Sequence, residues 1–309
     1  MTENNHQVAV IICSVGRPAC VLRLAPLLAD QSQKPDRVIF VVTSQQDVSA
    51  DTLAYFHDVC PAEIVIAPKG LTKQRNAGLQ KIAQSDQQAP AYVVFFDDDF
   101  LPSRYALEGI AVAFNQNPAV NGMTGHLIAD GIHGVGLTHD EGVRLVAEHD
   151  AAAAGHVKNR PAQTLRSGLE GLYGCNMAYR YSALEGVRFD ERLPLYGWQE
   201  DIDFAAQVPG QRIKTNAFKG VHLGTKGGRE TAGQRLGYSQ IANPYYLWCK
   251  GTMSARFAFK LMTRNFIANH AKMFRPEPWI DRTARARGNW LALRDVLLRK
   301  SDPERILSL

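Results

Sequence analysis

The residues best suited to chemistry in this chain are three consecutive aspartates closing an apolar run, Tyr92-Val93-Val94-Phe95-Phe96-Asp97-Asp98-Asp99. Val93 to Phe96 is short, β-branched and aromatic, and it is followed by Pro102 and a helical pattern over 103–116, which predicts a buried parallel strand. The carboxylates then stand at the carboxyl edge of a sheet, where open α/β folds bind ligands. Like charges so crowded repel unless a cation neutralises them. Mg²⁺ or Mn²⁺ held by one or two carboxylates plus substrate phosphates meets that need. A solvated turn in which Asp99 or Ser103 caps the next helix is the competing arrangement.

A second acidic group, Glu200, Asp201 and Asp203, follows Tyr196-Gly197-Trp198-Gln199 at a helix start. Any one of these acids could simply complement the positive end of the helix macrodipole. Trp198 beside them argues for more, because an aromatic plane next to a carboxylate offers a sugar both a stacking face and a hydroxyl acceptor; a core tryptophan is the competing use.

The elements that must position these groups alternate. Val8–Cys13, Arg37–Val42, Ala62–Ala67 and Ala91–Phe96 are strand-like, with helical patterns near 18–30, 72–84 and 103–116, and this alternation predicts a parallel α/β sheet. Pro18 suits the first turn of the first helix, so Ser14-Val15-Gly16-Arg17 forms a strand-to-helix loop able to present backbone N–H groups to an anion. The stretch 130–150 carries Gly131, Gly134 and Gly136 with His133, His139 and His149 and no clear period, which predicts a mobile loop. Arg212 to Phe218 is strand-like and leads to Val221-His222-Leu223-Gly224.

Composition bounds the function. The chain has 309 residues, 45% of them hydrophobic, enough for a sizeable core and about two domains, expected as residues 1–240 and a basic helical extension 241–309. No apolar run reaches the ~18 residues of a membrane span, and the polar start lacks the apolar core of a signal peptide, so the expected location is the cytoplasm. The five cysteines have no C-x-x-C spacing and read as reduced thiols. The net charge of +5 divides into −3 over residues 1–240 and +8 over 241–309. No recognisable nucleic-acid module accompanies that charge, and nucleic acid is not an expected partner.

Together these segments resemble the family-two glycosyltransferases of the GT-A fold, over roughly residues 8–230. The resemblance rests on Gly16-Arg17-Pro18, on Lys69-Gly-Leu-Thr-Lys-Gln-Arg75-Asn76-Ala-Gly78, on the D-x-D at Asp97 and Asp99, on Phe189-Asp190-Glu191 and on Glu200-Asp201. It implies a mainly parallel central sheet flanked by helices, and a metal-dependent inverting hexosyltransferase using a nucleoside-diphosphate sugar, with UDP-sugars favoured, in cell-surface polysaccharide biosynthesis. Asp97, Asp99 and His222 would hold Mn²⁺ or Mg²⁺ against the diphosphate. Ser14, Gly16, Arg17, Thr43, Lys73, Arg75, Asn76, Asp97 and Asp98 would line the donor, and Lys226 and Arg229 would belong to a lid over it. Asp201 would be the general base, with Glu200 beside it and Trp198 at the acceptor, a saccharide or a polyprenyl-diphosphate-linked saccharide. His222 has a plain structural role as its alternative. One departure stands out: where the family carries an acid after the second strand to read the nucleobase, this chain has Val41-Val42-Thr43-Ser44-Gln45, so the base is not specified.

From Thr252 to Phe274 the chain has no Pro or Gly, and Arg256, Lys260 and Arg264 share one helical face. That composition suits an anionic membrane surface, giving a peripheral association, and equally a helix docked on the rest of the protein with its basic face in water. The competing functions are a nucleotidyltransferase, whose Gly-rich phosphate loop is missing from Val10 to Pro18, and a non-catalytic nucleotide- or sugar-binding module of the same fold.

Overall fold

The computed structural model describes residues 7–153, 162–226 and 232–309. Among these residues the strands are β1 (Val8–Cys13), β2 (Arg37–Val42), β3 (Ala62–Ile66), β4 (Tyr92–Asp97), β5 (Phe100–Pro102), β6 (Val120–Asp130), β7 (Thr164–Ser167), β8 (Asn176–Arg180) and β9 (Gln211–His222). The helices are α1 (Pro18–Ala29), α2 (Ala50–Ala54), α3 (Leu71–Ala83), α4 (Ala106–Gln116), α5 (His139–Ala153), α6 (Glu200–Gln207), α7 (Gly233–Lys250), α8 (Ala255–Lys272) and α9 (Arg282–Leu297). They form two compact units, the first of residues 1–69, 73–188 and 208–225 and the second of residues 70–72, 189–207 and 226–309.

The first unit is built on a sheet of order β3-β2-β1-β4-β8-β6-β9-β5, with β7 paired to β9. Its first four strands are all parallel, and β6 pairs with β9 in parallel; β8, β5 and β7 run antiparallel to their neighbours. β1, β2 and β4 are near-continuous apolar runs because both faces are covered, with Val10, Phe40 and Val94 fully buried alongside Leu24 of α1 and Ile110 of α4. Pro18 opens α1 as expected.

Two expectations need correction. Residues 139–153 are helical rather than loop, and the helix is started by a capping box: Thr138 Oγ1 accepts from Glu141 N at 3.2 Å while Glu141 Oε2 accepts from Thr138 N at 2.8 Å. The last strand also continues beyond Phe218 to His222, because Gly220 lets the Phe100 ring and the Leu101 carbonyl approach where a side chain would stand.

In the second unit α7 and α9 cross closely, since a Cβ at Gly288 would fall 2.2 Å from Gln234 O. The helix expected over 252–274 is α8, capped by Ser254, whose side chain accepts from Phe257 N. No described helix is long and apolar enough to cross a membrane.

Candidate active site

Parallel pairing sets Cys13 level with Asp97, so the loop after β1 and the triple aspartate leave the sheet side by side. Ser14 Oγ donates to Asp98 Oδ2 at 2.6 Å, and Arg17 reaches Asp98 Oδ1 at 2.7 Å and Asp99 Oδ2 at 3.5 Å. Gly16 sits at φ 64°, a left-handed conformation suited to glycine, and its N–H donates to Asp47 Oδ1 at 3.0 Å. Thr43 Oγ1 donates to the other Asp47 oxygen at 3.3 Å. Asp47 is a buried carboxylate that no sequence motif marks; it ends the short 3-10 turn Gln45–Asp47, beyond the end of β2.

On α3, Arg75 is only 2% exposed, and its Nη2 donates to Asp97 Oδ1 at 3.0 Å and to Gly174 O at 2.9 Å. The guanidinium also lies 5.7 Å from the centroid of the Phe95 ring. It therefore orients Asp97 from within. Lys73 and Asn76 on the same helix are half-buried. Gln74, which the sequence reading did not single out, donates to both Ser14 O and Val41 O at 2.9 Å, so one amide holds the ends of β1 and β2 together.

Asp97, Asp99 and His222 each offer a ligand atom within 4.8 Å of the others. The register between β5 and β9 produces this meeting: Phe100 pairs with His222, Leu223 N donates to Asp99 O at 2.9 Å, and Thr225 N donates to Asp99 Oδ2 at 2.9 Å. His222 Nε2 lies 3.6 Å from Asp99 Oδ1, while its Nδ1 is 2.8 Å from Asp130 Oδ1. Tyr173 OH donates to Asp130 Oδ2 at 3.0 Å. With Nδ1–H given to Asp130, the Nε2 lone pair faces the two carboxylates, the outer-shell arrangement that fixes a metal-binding imidazole. Two hard oxygens and one imidazole fit Mn²⁺, and Mg²⁺ with added waters.

Asp130 and Tyr173 were missed because nothing local links them to a histidine far along the chain; only the pairing of Asp130 with His222 in the β6–β9 ladder does. Two glycines guard that pairing. A Cβ at Gly131 would stand 2.1 Å from Leu223 O, and one at Gly224, itself at φ 62°, would stand 2.4 Å from Gly131 C.

The electrostatics follow from burial opposed by partners. Burial pushes the Asp98 carboxyl up to about 7 against the pull of Arg17. Asp97 is likewise raised by burial, with Arg75 opposing. For His222 burial lowers the pKa, but the bond to Asp130 and the charges of Asp99 and Asp97 prevail and raise it. Asp130 ends below the usual carboxylate range, because its hydrogen bonds and the His222 charge outweigh burial.

In the second unit Glu200 and Asp201 occupy the first turn of α6. The turn before it holds Leu195, Gly197 and Gln199 at φ 59°, 58° and 72°, three left-handed residues within five. Glu200 is buried with its N–H donating to Gly197 O at 2.7 Å, and Asp201 is half-buried with Oδ1 accepting from Ile202 N at 2.9 Å. Trp198 is half-buried, not a core residue, and its carbonyl accepts from Asn243 at 2.8 Å. Asp203 faces elsewhere: it is fully buried, accepting from Lys250 at 2.8 Å, Thr252 at 2.7 Å and Gln207 at 2.9 Å. Lys250 also binds Asp190 at 2.7 Å, where Tyr246 OH donates at 2.7 Å. Lys226 lies 6.0 Å from the Trp279 ring centroid. Arg229, with Gly227 and Gly228, falls outside the described residues.

Comparison with solved structures finds the same fold in S. aureus TarS residues 1–349, 14% identical, covering 98% of this chain and 83% of that one with a TM-score of 0.58. The same TarS fragment in complex with UDP-GlcNAc is 13% identical, covering 97% and 89% with a TM-score of 0.56. The mannosyltransferase PcManGT from Pyrobaculum calidifontis, in complex with GDP-Man and Mn²⁺, is 16% identical, covering 95% and 88% with a TM-score of 0.50. No curated protein matches the chain. The model of the glycosyl transferase family 2 matches residues 9–188, more than half of the chain, so this protein belongs to glycosyl transferase family 2 and is a glycosyltransferase of the GT-A fold.

Proposed function

We propose that the protein transfers a hexose, with inversion, from a nucleoside-diphosphate sugar to a saccharide or lipid-linked saccharide acceptor in bacterial cell-surface polysaccharide synthesis. The observation that carries this reading is the convergence of Asp97, Asp99 and His222 at the carboxyl edge of the parallel strands. These three would hold Mn²⁺ or Mg²⁺, which when bound stabilises charge on the departing diphosphate. UDP-sugars remain the favoured donors; the TarS fragment bound UDP-GlcNAc and PcManGT bound GDP-Man with Mn²⁺.

The loop Ser14–Arg17 lies against the aspartates and presents the Arg17 charge to the diphosphate; Lys73 and Asn76 complete the donor's surroundings. Asp97, kept in place by Arg75, faces the ribose or sugar. Asp201 takes the proton from the acceptor hydroxyl on the face opposite the leaving group, which is the geometry that inverts the anomeric carbon. Glu200 and Trp198 present the acceptor. A lipid-linked acceptor brings the enzyme to the inner face of the cell membrane as a peripheral protein.

The test is thermal stability with UDP, dTDP, GDP and CMP, each with Mn²⁺ and with EDTA, where a ligand at ~100 times its dissociation constant adds about 2.7 kcal/mol. One nucleotide shifting the melting temperature only with Mn²⁺ supports the reading; no shift with any of them sinks it. Asp201→Asn is expected to fold, bind donor normally and lose about 10² to 10⁴ in transfer rate.

A further inference from the structure

The outward side of the second unit's last helices has an unusual make-up. The exposed positions on α8 include Arg256, Phe259, Lys260, Arg264 and Ile267, which share one stripe at helical spacing. The α8 sequence contains no acid at all. On α9 the exposed stripe is Arg287, Trp290, Arg294 and Leu297. Its one acid, Asp295, is turned inward, 2% exposed, accepting from Tyr238 OH at 2.9 Å and pairing with Arg305 at 2.8 Å. Phe259, Trp290 and Leu297 are 53%, 59% and 83% exposed, and Phe274 just beyond α8 is 84% exposed.

This surface is rigidly presented. Asn269 of α8 is fully buried, donating to Gln240 of α7 at 2.7 Å and to Asn289 of α9 at 2.9 Å, while Arg282 donates back to it at 3.0 Å. Asn289 in turn donates to Gly237 O at 2.6 Å. The two helices are thus fixed on α7 with Asn269, Arg282 and Asn289 spent on internal hydrogen bonds, while Arg256, Lys260, Arg264, Arg287 and Arg294 are exposed.

We infer that the exposed faces of α8 and α9 form one docking surface for an anionic lipid bilayer, with the arginines and lysine at the headgroups and Phe259, Trp290 and Leu297 entering the acyl boundary. The inference rests on the peripheral association proposed above and names the surface that makes it. The charge pattern selects the occupant. A second copy meeting this face by two-fold symmetry would set cations against cations. A hydrophilic polyanion would leave Ile267, Leu297 and Phe274 in water. An interface rich in anionic lipid matches both halves of the pattern, each cation near such a surface adding attraction that salt screens.

The test uses the full chain and sedimentation with vesicles of phosphatidylcholine alone and of phosphatidylcholine mixed with phosphatidylglycerol. Binding is expected only to the mixed vesicles and is expected to weaken with salt. The triple variant R256E/K260E/R264E should bind at least ~100-fold more weakly at an unchanged melting temperature. The variant F259A/W290A should lose the part of the binding that survives high salt. If the wild type binds no anionic vesicle, both this surface and the peripheral association fall, while donor hydrolysis measured without lipid still reports on sugar transfer separately. If the wild type binds and both variants bind equally well, attachment lies elsewhere and the surface is overturned. A dimer dissolved by F259A/W290A would overturn it in favour of a second copy.

Discussion

Two clusters of aspartates with cations, one in each unit, are built differently. In the second unit Asp190 and Asp203 share Lys250; Tyr246 and Gln207 donate to the same oxygens that Lys250 binds, and Thr252 takes the other Asp203 oxygen, so the charges are consumed inside the fold. In the first unit Asp97, Asp98 and Asp99 have cations too, but His222 and Arg17 approach Asp99 only at 3.6 and 3.5 Å. Arg17 meets Asp98 at 2.7 Å and Arg75 meets Asp97 at 3.0 Å, so the cations stand off from Asp99 alone, and ligand atoms from three residues converge within 4.8 Å of one another. The contrast lies between Asp203, on which its cation closes at 2.8 Å, and Asp99, whose cations stay at 3.5 Å or beyond.

Substitutions can break this contrast, beginning where the effect should be greatest. Asp99→Ala is expected to abolish the Mn²⁺-dependent part of nucleotide affinity and cut transfer by more than ~10²-fold while leaving the melting temperature close to wild type, because the residue is placed for a ligand. Unchanged nucleotide titrations with and without Mn²⁺ would remove the metal site. Asp203→Ala should do the reverse, costing about 3 kcal/mol in urea unfolding, since Lys250 and Thr252 lose their buried acceptor, with Mn²⁺ affinity unaltered. A loss of Mn²⁺ affinity in that variant would erase the distinction between the clusters.

Smaller effects sharpen it. Asp130→Asn keeps the shape but no longer holds the His222 imidazole with a charge, and Mn²⁺ affinity by calorimetry should drop about 10- to 100-fold. An undiminished affinity would mean that His222 does not ligate. The smallest effect concerns Glu277, which Arg282 and Lys272 hold at a pKa of about 2. Its folded pKa is depressed, so its contribution is present above the ordinary glutamate pKa and is lost as pH falls from about 4.5 toward 2. Glu277→Gln should therefore cost at most about 1 kcal/mol at pH 7 and flatten the acid limb of a stability curve. An identical acid limb would make the clamp inert.

What could be read from the sequence divides along the same line between local and distant causes. β1, β2 and β4 declared themselves because strands buried on both faces must be unbroken apolar runs. The D-x-D was visible as acids at the end of such a strand, and the Glu200-Asp201 pair as acids at a helix start. α5 was hidden by the glycines and histidines around it, although Thr138-x-x-Glu141 was a usable start signal. Asp47 was lost because its turn lies beyond the strand end, and the bond from Arg75 to Asp97 was not legible because it joins a helix to a distant strand end. Asp130 and Tyr173 were beyond reach, since their meeting with His222 depends on strand register and not on any spacing along the chain.

The backbone contact between Gly131 and Gly224 gives this site a hidden fragility. Neither residue carries a functional group, yet one added methyl at either would drive apart the strand ends that bear Asp130 and His222. In a saturation screen for lost transfer, both positions would rank with the acids they keep together, and a reader of such a map would mistake spacers for catalysts. Drift in this protein is thus barred at two places where only the lack of a side chain is selected.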